Sequence, residues 1–290
     1  MSEDNATSPA AQPGSSALQL ALANKSVFWG MLVIAIMVAV AWIGPMFTVD
    51  PMEIRPLARL KPAGEFGLFG TDQLGRDLFS RVVNGARVSL VVGFAVAAVA
   101  VVAGLLLGLV AGYFRLMDAV IMRLMDGLMS IPAILLAIAL ISLTGATLWT
   151  VIVAIFIPEI PRVVRLVRSV VLSVREEPYV EAGIAAGTPT WLILWRHILP
   201  NTIAPMIVQA TYICGAAMLT EAILGFLGAG IPPETPSWGN IMSEGRTFFQ
   251  LTPWVIFFPG SALALTVLAV NFVGDGLRDT LDPRIARTLR

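Results

Sequence analysis

Residues 88–114 read VSLVVGFAVAAVAVVAGLLLGLVAGYF, a run of 27 residues without a charge. A helix of about 20 apolar residues crosses the hydrocarbon core of a bilayer, so this run predicts a transmembrane helix. The whole chain has a matching composition: 57% of its 290 residues are hydrophobic, 13% are charged, and the mean hydropathy is +0.83. Soluble domains carry roughly 25% charged residues. The composition therefore indicates an integral membrane protein and excludes a disordered chain, a nucleic-acid-binding protein and an ordinary soluble enzyme.

Further uncharged runs extend this pattern to six predicted spans. They occupy residues 28–47, 127–158, 197–220 and 247–274. The run 127–158 is too long for one helix and holds a turn-forming segment at 142–147, so it predicts two spans that draw in flanking residues. This division places Arg123, Asp126 and Glu159 at or inside the membrane boundary. The predicted fold is an all-α integral membrane protein with six transmembrane helices.

The segments around the spans have distinct compositions. Residues 1–26 are rich in Ser, Ala, Pro, Gly and Asn and predict a disordered tail. Residues 27–47 predict an uncleaved anchor helix, because no basic stretch of a signal peptide precedes them. We expect an external loop at 48–87, a core transmembrane domain at 88–276 and a second tail at 277–290.

The distribution of Lys and Arg predicts the orientation. With both termini inside, 12 of these residues lie on the cytoplasmic side and 7 lie outside, and this excess favours cytoplasmic termini. Six of the outside residues belong to the loop 48–87, which is long enough to fold as an amphipathic piece on the outer surface. Arg162, Arg165 and Arg168 share one helix face. They indicate the cytoplasmic end of a span, where basic residues accumulate.

Chemistry at a metal or a nucleophile is not expected. The chain has one cysteine, Cys214, and one histidine, His197, which exclude an internal disulfide and leave a zinc site without enough ligands. Cys214 lies in an apolar run and is interpreted as a small buried hydrophobic residue. A catalytic set would need a nucleophile with a base nearby, and His197 has no such neighbour in the sequence.

A short cytoplasmic helix is predicted between spans four and five. Glu176 and Glu177 favour a helix N-terminus, Pro178 suits the first helical position, and Gly187 followed by Pro189 ends the helix. Its residues are small: Ala182, Gly183, Ala185 and Ala186. A short helix without bulky side chains on the cytosolic side is suited to insertion into a groove of a partner protein.

This segment resembles the "EAA" loop of bacterial ABC-importer permeases, whose pattern is Glu-Ala-Ala, three residues, Gly, nine residues, Ile, one residue and Leu-Pro. The chain departs from the pattern at two positions, where Gly183 replaces the second Ala and His197 stands at the Ile position. The residues that carry the resemblance are Glu181, Ala182, Gly183, Gly187, Leu199 and Pro200.

Three more stretches are similar to the peptide-transporter branch of that family. They lie at residues 69–90, 226–239 and 271–284, for example Phe226-Leu-Gly-Ala-Gly-Ile-Pro-Pro-Glu-Thr-Pro-Ser-Trp-Gly239. The resemblance covers about residues 27–284, and on it the chain is identified as a C-type permease subunit of a dipeptide, oligopeptide or nickel ABC importer.

The resemblance implies a type I ABC-importer permease fold and a set of partners. These are a homologous second permease, two ATP-binding subunits and an extracytoplasmic solute-binding protein, assembled in the lipid bilayer of the bacterial cytoplasmic (inner) membrane. It implies that the helix at about Pro178–Gly187, in a coupling loop 171–200, contacts an ATPase, and that the six EAA-loop residues couple ATP hydrolysis to transport. ATP is then bound by partner subunits and the chain needs no cofactor. Neither of its lysines, Lys25 and Lys61, completes a P-loop.

The expected cargo is a short peptide, a dipeptide or oligopeptide that crosses by alternating access. The alternative is the same architecture importing nickel or another small peptide-like solute. A secondary transporter fits less well, because the sequence shows no internal repeat.

Three carboxylates at membrane depth are candidates for the translocation path: Glu221, Glu159 and Asp126. Ionisable groups inside a bilayer are costly and therefore point to function, but each has a structural alternative. Asp126 is three residues from Arg123 and is expected to pair with it. Glu159 either lines the path or pairs with Arg162. Glu221 either meets the solute or packs at a helix end, where it caps a neighbouring helix N-terminus.

A small-residue stripe runs along span two. It comprises Gly104, Gly108 and Gly112, a spacing that permits close approach of another helix. Contact with the partner permease and packing within the same subunit are both open alternatives.

Overall fold

The computed structural model describes residues 24–281. In that range the chain is built from helices, and its β-type pairing is limited to one isolated bridge between Thr71 and Asp77. The helices are α1 (Lys25–Ile43), α2 (Leu78–Tyr113), α3 (Arg115–Met129), α4 (Ala133–Thr144), α5 (Leu148–Arg175), α6 (Pro178–Ala185), α7 (Thr190–Ile193), α8 (Leu199–Phe226), α9 (Trp238–Gly245) and α10 (Trp254–Leu281). The two predicted tails, 1–26 and 277–290, lie largely outside the described residues.

The number of clear spans is lower than the six predicted. Four helical segments in the described range are long and apolar enough to cross a membrane: α1 with the turn after it, α2, the continuous segment Thr190–Phe226, and α10. Together α3 and α4 make a fifth candidate. Helix α5 is long enough at 28 residues, but Glu159, Arg162 and Arg165 make its middle too polar for an ordinary lipid-facing span.

Predicted span three is broken rather than continuous. Helices α3 and α4 meet at an angle of 88°, and the break lies at residues 130–132, just before α4 begins. Pro132 has no N–H group to continue the hydrogen bonding of α3. Arg123 and Asp126 therefore lie on a separate helix that runs almost perpendicular to α4. This helix is amphipathic, with Leu116, Val120 and Leu124 exposed along one side.

The centre of the fold is the contact between α2 and α5. Along α2 each glycine of the small-residue stripe faces a valine of α5, so closely that an added Cβ would overlap the valine side chain. The facing pairs are Gly104 with Val163, Gly108 with Val167, and Gly112 with Val171. Of the two alternatives for this stripe, the structure shows packing within the subunit.

The segment between α1 and α2 is folded around buried charges. Asp72 accepts hydrogen bonds from Arg76 Nε (2.6 Å) and Arg81 Nη1 (2.7 Å), and Glu244 of α9 accepts from Arg81 at 2.7 and 3.1 Å and also from Arg76. Asp77 caps the N-terminus of α2, and burial raises the pKa of its carboxyl. The predicted loop 48–87 thus ends in helix and is fixed to α9.

Candidate coupling loop and membrane-embedded charges

Helix α6 has the start and the end that the sequence predicts. Glu177 precedes it in an extended conformation, and Pro178 occupies its first turn. At its other end Gly187 has φ of +77°, while the N–H groups of Gly187 and Thr188 donate to the carbonyls of Ile184 (2.9 Å) and Gly183 (3.1 Å). This is a glycine-terminated helix end, so the prediction that Gly187 ends the helix is confirmed.

Helix α6 packs on the helical bundle through the side chain of Val180, and most of its remaining surface is exposed. Val180 is fully buried, whereas Glu181, Ala182 and Gly187 are exposed and Gly183 is half-buried. The first half of the EAA-loop motif therefore forms an accessible patch of small side chains with one carboxylate.

The second half of the motif lies at the base of α8. Leu199 is half-buried and begins the helix, and Pro200 follows it in the first turn. Tyr179 joins the two halves: its hydroxyl accepts a hydrogen bond from Asn201 Nδ2 at 3.3 Å, and its ring lies 5.9 Å from that of His197. The sequence analysis missed this role of Tyr179, for which the signal was an aromatic residue in a segment of small side chains.

Glu159 is paired with Arg162. The Arg162 Nη1 atom lies 3.2 Å from Glu159 Oε2, and the guanidinium lies 5.8 Å from the centre of the Tyr212 ring on α8. Glu159 is buried while the Arg162 side chain is 47% exposed. The pairing alternative for Glu159 is thus seen directly.

Asp126 pairs with a different arginine from the one expected. Its Oδ1 accepts from Arg165 Nη2 of α5 at 2.6 Å, whereas Arg123 is exposed. One turn along α5, Arg168 binds Asp118 of α3 through two hydrogen bonds of 2.5 and 2.6 Å. The expected Arg123–Asp126 pair is wrong because the break at Pro132 places α3 beside α5.

Glu221 lies inside the subunit and has no exposed surface. Ser89 Oγ of α2 donates to Glu221 Oε2 at 3.1 Å, and the same Ser89 oxygen accepts from the Trp238 N–H at 3.4 Å. Because Trp238 is the first residue of α9, the carboxylate is linked through Ser89 to a helix N-terminus. Backbone contact is close here, since Gly239 packs against Ala222 without space for a Cβ.

The described residues hold no group of three or more His, Cys, Asp or Glu side chains that is arranged to bind a metal ion. Cys214 is buried in α8, as its apolar surroundings in the sequence predict.

Comparison with known proteins decides the family. Residues 79–287 match the family described as "Binding-protein-dependent transport system inner membrane component". The chain belongs to this family. It is accordingly a multi-pass inner-membrane transport permease, and the family resemblance seen in the EAA loop is confirmed.

Relatives of this permease cover most of its length. It is 53% identical over 243 residues to the "Probable peptide ABC transporter permease protein y4tQ" of Sinorhizobium fredii, an alignment that spans 84% of each chain. It is 43% identical to the "Dipeptide transport system permease protein DppC" of Alkalihalophilus pseudofirmus, over 95% of this chain and 91% of the relative.

The permease also resembles a solved structure. An inward-facing form of the MetNI methionine ABC transporter aligns with a TM-score of 0.55 at 21% identity, covering 72% of this chain and 96% of that one. At this identity the likeness concerns the fold, and it confirms the predicted all-α type I ABC-importer permease architecture.

Proposed function

We propose that this permease carries short peptides as one subunit of an ATP-driven importer. Its partners in the proposal are a homologous second permease, two ATP-binding subunits and an extracytoplasmic solute-binding protein. The observation that carries the assembly is α6, which presents small side chains on an open surface between two membrane helices. The peptide cargo is supported by the names of the two relatives, both of which are peptide or dipeptide permeases.

In this proposal α6 transmits movement from an ATPase to the membrane helices. Glu181, Ala182, Gly183 and the Gly187 end of α6 contact the ATPase. Buried Val180 and the Tyr179–Asn201 hydrogen bond connect α6 with the bundle, where Leu199 and Pro200 form the base of α8. When the ATPases close, the displacement of α6 shifts α5 and α8, which are the helices on either side of it, and changes the side from which the path is open.

The proposed orientation places both termini in the cytoplasm. Helix α6 follows the inner half of α5, which carries Arg162, Arg165 and Arg168, and this supports a cytoplasmic side for it. The buried charges formed by Arg81 and Glu244 tie α9 to the start of α2, at the end of the molecule that would receive the binding protein.

The three path candidates take different roles. Glu159 and Asp126 each partner an exposed arginine of α5, so we place them beside the path. Glu221 has no exposed surface in this conformation, so we assign it to packing at the N-terminus of α9.

The test is uptake of a labelled dipeptide into proteoliposomes that contain this permease with its partner subunits. We expect uptake to require ATP and loaded binding protein and to persist when the proton gradient is dissipated. Uptake of a nickel chelate in place of the dipeptide would support the alternative cargo. Uptake driven by a proton gradient alone would contradict the importer.

A further inference from the structure

Helix α5 changes the character of its exposed surface halfway along its length. Its outer half exposes apolar side chains, Trp149 and Val153. The exposed residues of its inner half are polar, and together they form what we call the polar stripe: Arg162, Arg165, Ser169 and Ser173. Their spacing of three, four and four residues places them on one face of the helix.

With α5 taken as the predicted fourth span, the polar stripe begins at mid-membrane depth. Arg162 is 14 residues from the outer end of α5, about 21 Å along the axis, and 13 residues from the inner end. Charged side chains at this depth face the inside of a bundle or a water-filled cavity and avoid lipid. Because the stripe is exposed on the subunit surface, it must be covered by water or by the second permease. A stripe of this kind is the expected lining of a path between two permeases.

The guanidinium of Arg162 retains free hydrogen-bonding capacity. Both of its contacts with Glu159 use Nη1, at 3.2 and 3.4 Å, and among the described residues Nη2 and Nε have no hydrogen-bond partner. The Tyr212 ring lies against the guanidinium at 5.8 Å, an arrangement that a cation–π interaction stabilises. An arginine held in this way presents paired N–H groups that match the geometry of a carboxylate.

We propose that Arg162 lines the translocation path and binds the carboxylate of a peptide during its passage. The inference rests on the proposed peptide import. Tyr212 positions the guanidinium, and buried Glu159 balances its charge. The carboxylate of the solute is therefore held weakly enough to leave, as transport through a multi-site path requires.

The aqueous exposure of the stripe is tested without any substrate. In a Cys214→Ala background, Ser169→Cys in the assembled complex is compared with Val102→Cys, which replaces an exposed apolar residue of α2. Thiols react as thiolates and need access to water, so we expect a charged methanethiosulfonate to label Ser169→Cys about tenfold faster or more. Equal labelling rates would show that the stripe faces lipid and would overturn the proposal.

The role of Arg162 is tested by dipeptide uptake per ATP hydrolysed in reconstituted complexes. We expect Arg162→Gln to lower this ratio about tenfold, because the charge-assisted contact is lost, and Arg162→Lys to lower it less. Arg123→Gln, an exposed arginine outside the stripe, is the matched control and should retain the wild-type ratio.

A double variant separates solute binding from simple charge pairing. Glu159→Gln/Arg162→Gln removes both charges and leaves no buried carboxylate unpaired. If Arg162 contacts the solute, the double variant remains as defective as Arg162→Gln. Recovery of the wild-type ratio in the double variant, or a wild-type ratio in Arg162→Gln, overturns the proposal. A wild-type complex without ATP-driven dipeptide uptake instead contradicts the proposed function on which it rests.

Discussion

The hydroxyl of Ser89 on α2 donates a hydrogen bond to the carboxylate of Glu221 on α8, 3.1 Å away and fully enclosed by the subunit. The same hydroxyl oxygen accepts from the first N–H of α9. Helices α2, α8 and the short helix α9 therefore meet at a single buried polar contact. A buried polar group is costly when it loses its partner, so this contact favours one relative placement of the three helices.

The Ser89–Glu221 contact predicts coupled effects on stability. Glu221→Ala removes the acceptor of Ser89, and we expect it to destabilise the subunit by about 1–3 kcal/mol. Ser89→Ala should cost less. In a double-mutant cycle the two changes should be non-additive by about 1 kcal/mol, measured by thermal unfolding of the purified complex in detergent. Strict additivity would show that the contact contributes nothing.

Gly187 predicts a transport defect of purely conformational origin. Its φ of +77° costs other residues roughly 1–2 kcal/mol, while no atom lies within 4 Å of an added Cβ. Gly187→Val should insert and assemble normally but transport several-fold less. Gly183→Ala is the matched control, since Gly183 lies in the same helix without a positive φ and only Thr188 Oγ1, at 3.9 Å, comes near. Equal uptake by Gly187→Val and wild type would refute the role of this helix end.

The contact between α2 and α5 predicts sensitivity to side-chain volume. Gly108→Val would overlap the Val167 side chain, and in a close-packed interior such overpacking costs about 1–3 kcal/mol or more. We expect loss of monodisperse protein in size-exclusion chromatography. Gly127→Val, where the added Cβ meets nothing within 4 Å, should remain monodisperse. The interpretation fails if the two variants behave alike.

The buried charge cluster between α2 and α9 predicts a large effect for Arg81, and an exposed pair in the preceding segment predicts a small effect for Arg55. Arg81 is fully buried between Asp72 and Glu244, so Arg81→Gln leaves the two carboxylates to share Arg76 as their remaining counter-charge, and we expect a loss of about 3 kcal/mol, the lower end of the cost of breaking a buried pair. Arg55 forms an exposed pair with Glu53, and Arg55→Gln should change stability by less than about 1 kcal/mol. Limited proteolysis of the segment between α1 and α2 measures both effects, and similar cleavage rates in the two variants would contradict the account.

Features determined by neighbouring residues could be predicted from the sequence. The start of α6 at Pro178 and its end at Gly187 depend on local backbone preferences, and both agree with the structure. The apolar runs likewise locate α1, α2, α8 and α10, because bilayer thickness alone sets the length required.

Features that depend on distant contacts could not be predicted. Asp126 pairs with Arg165, which is 39 residues away in the sequence, and Arg81 pairs with Glu244, which is 163 residues away. No rule based on local sequence spacing predicts such pairs. The pairing expected between Arg123 and Asp126 failed because the 88° break before α4 removed α3 from the predicted span. The polarity of α5 was visible as three arginines on one helix face, but only the packed structure shows that Arg162 and Arg165 are exposed while Arg168 is half-buried against Asp118.

The central claim, that α6 receives movement from an ATPase, is tested most directly by cross-linking in the assembled complex. In a Cys214→Ala background, Ala182→Cys is treated with a short bifunctional thiol reagent and compared with Thr247→Cys, an exposed position next to α9. The account predicts a permease–ATPase product from Ala182→Cys, with a yield that changes when ATP is added, and none from Thr247→Cys. Capture of the extracytoplasmic binding protein by Ala182→Cys, or of the ATPase by Thr247→Cys, would contradict it.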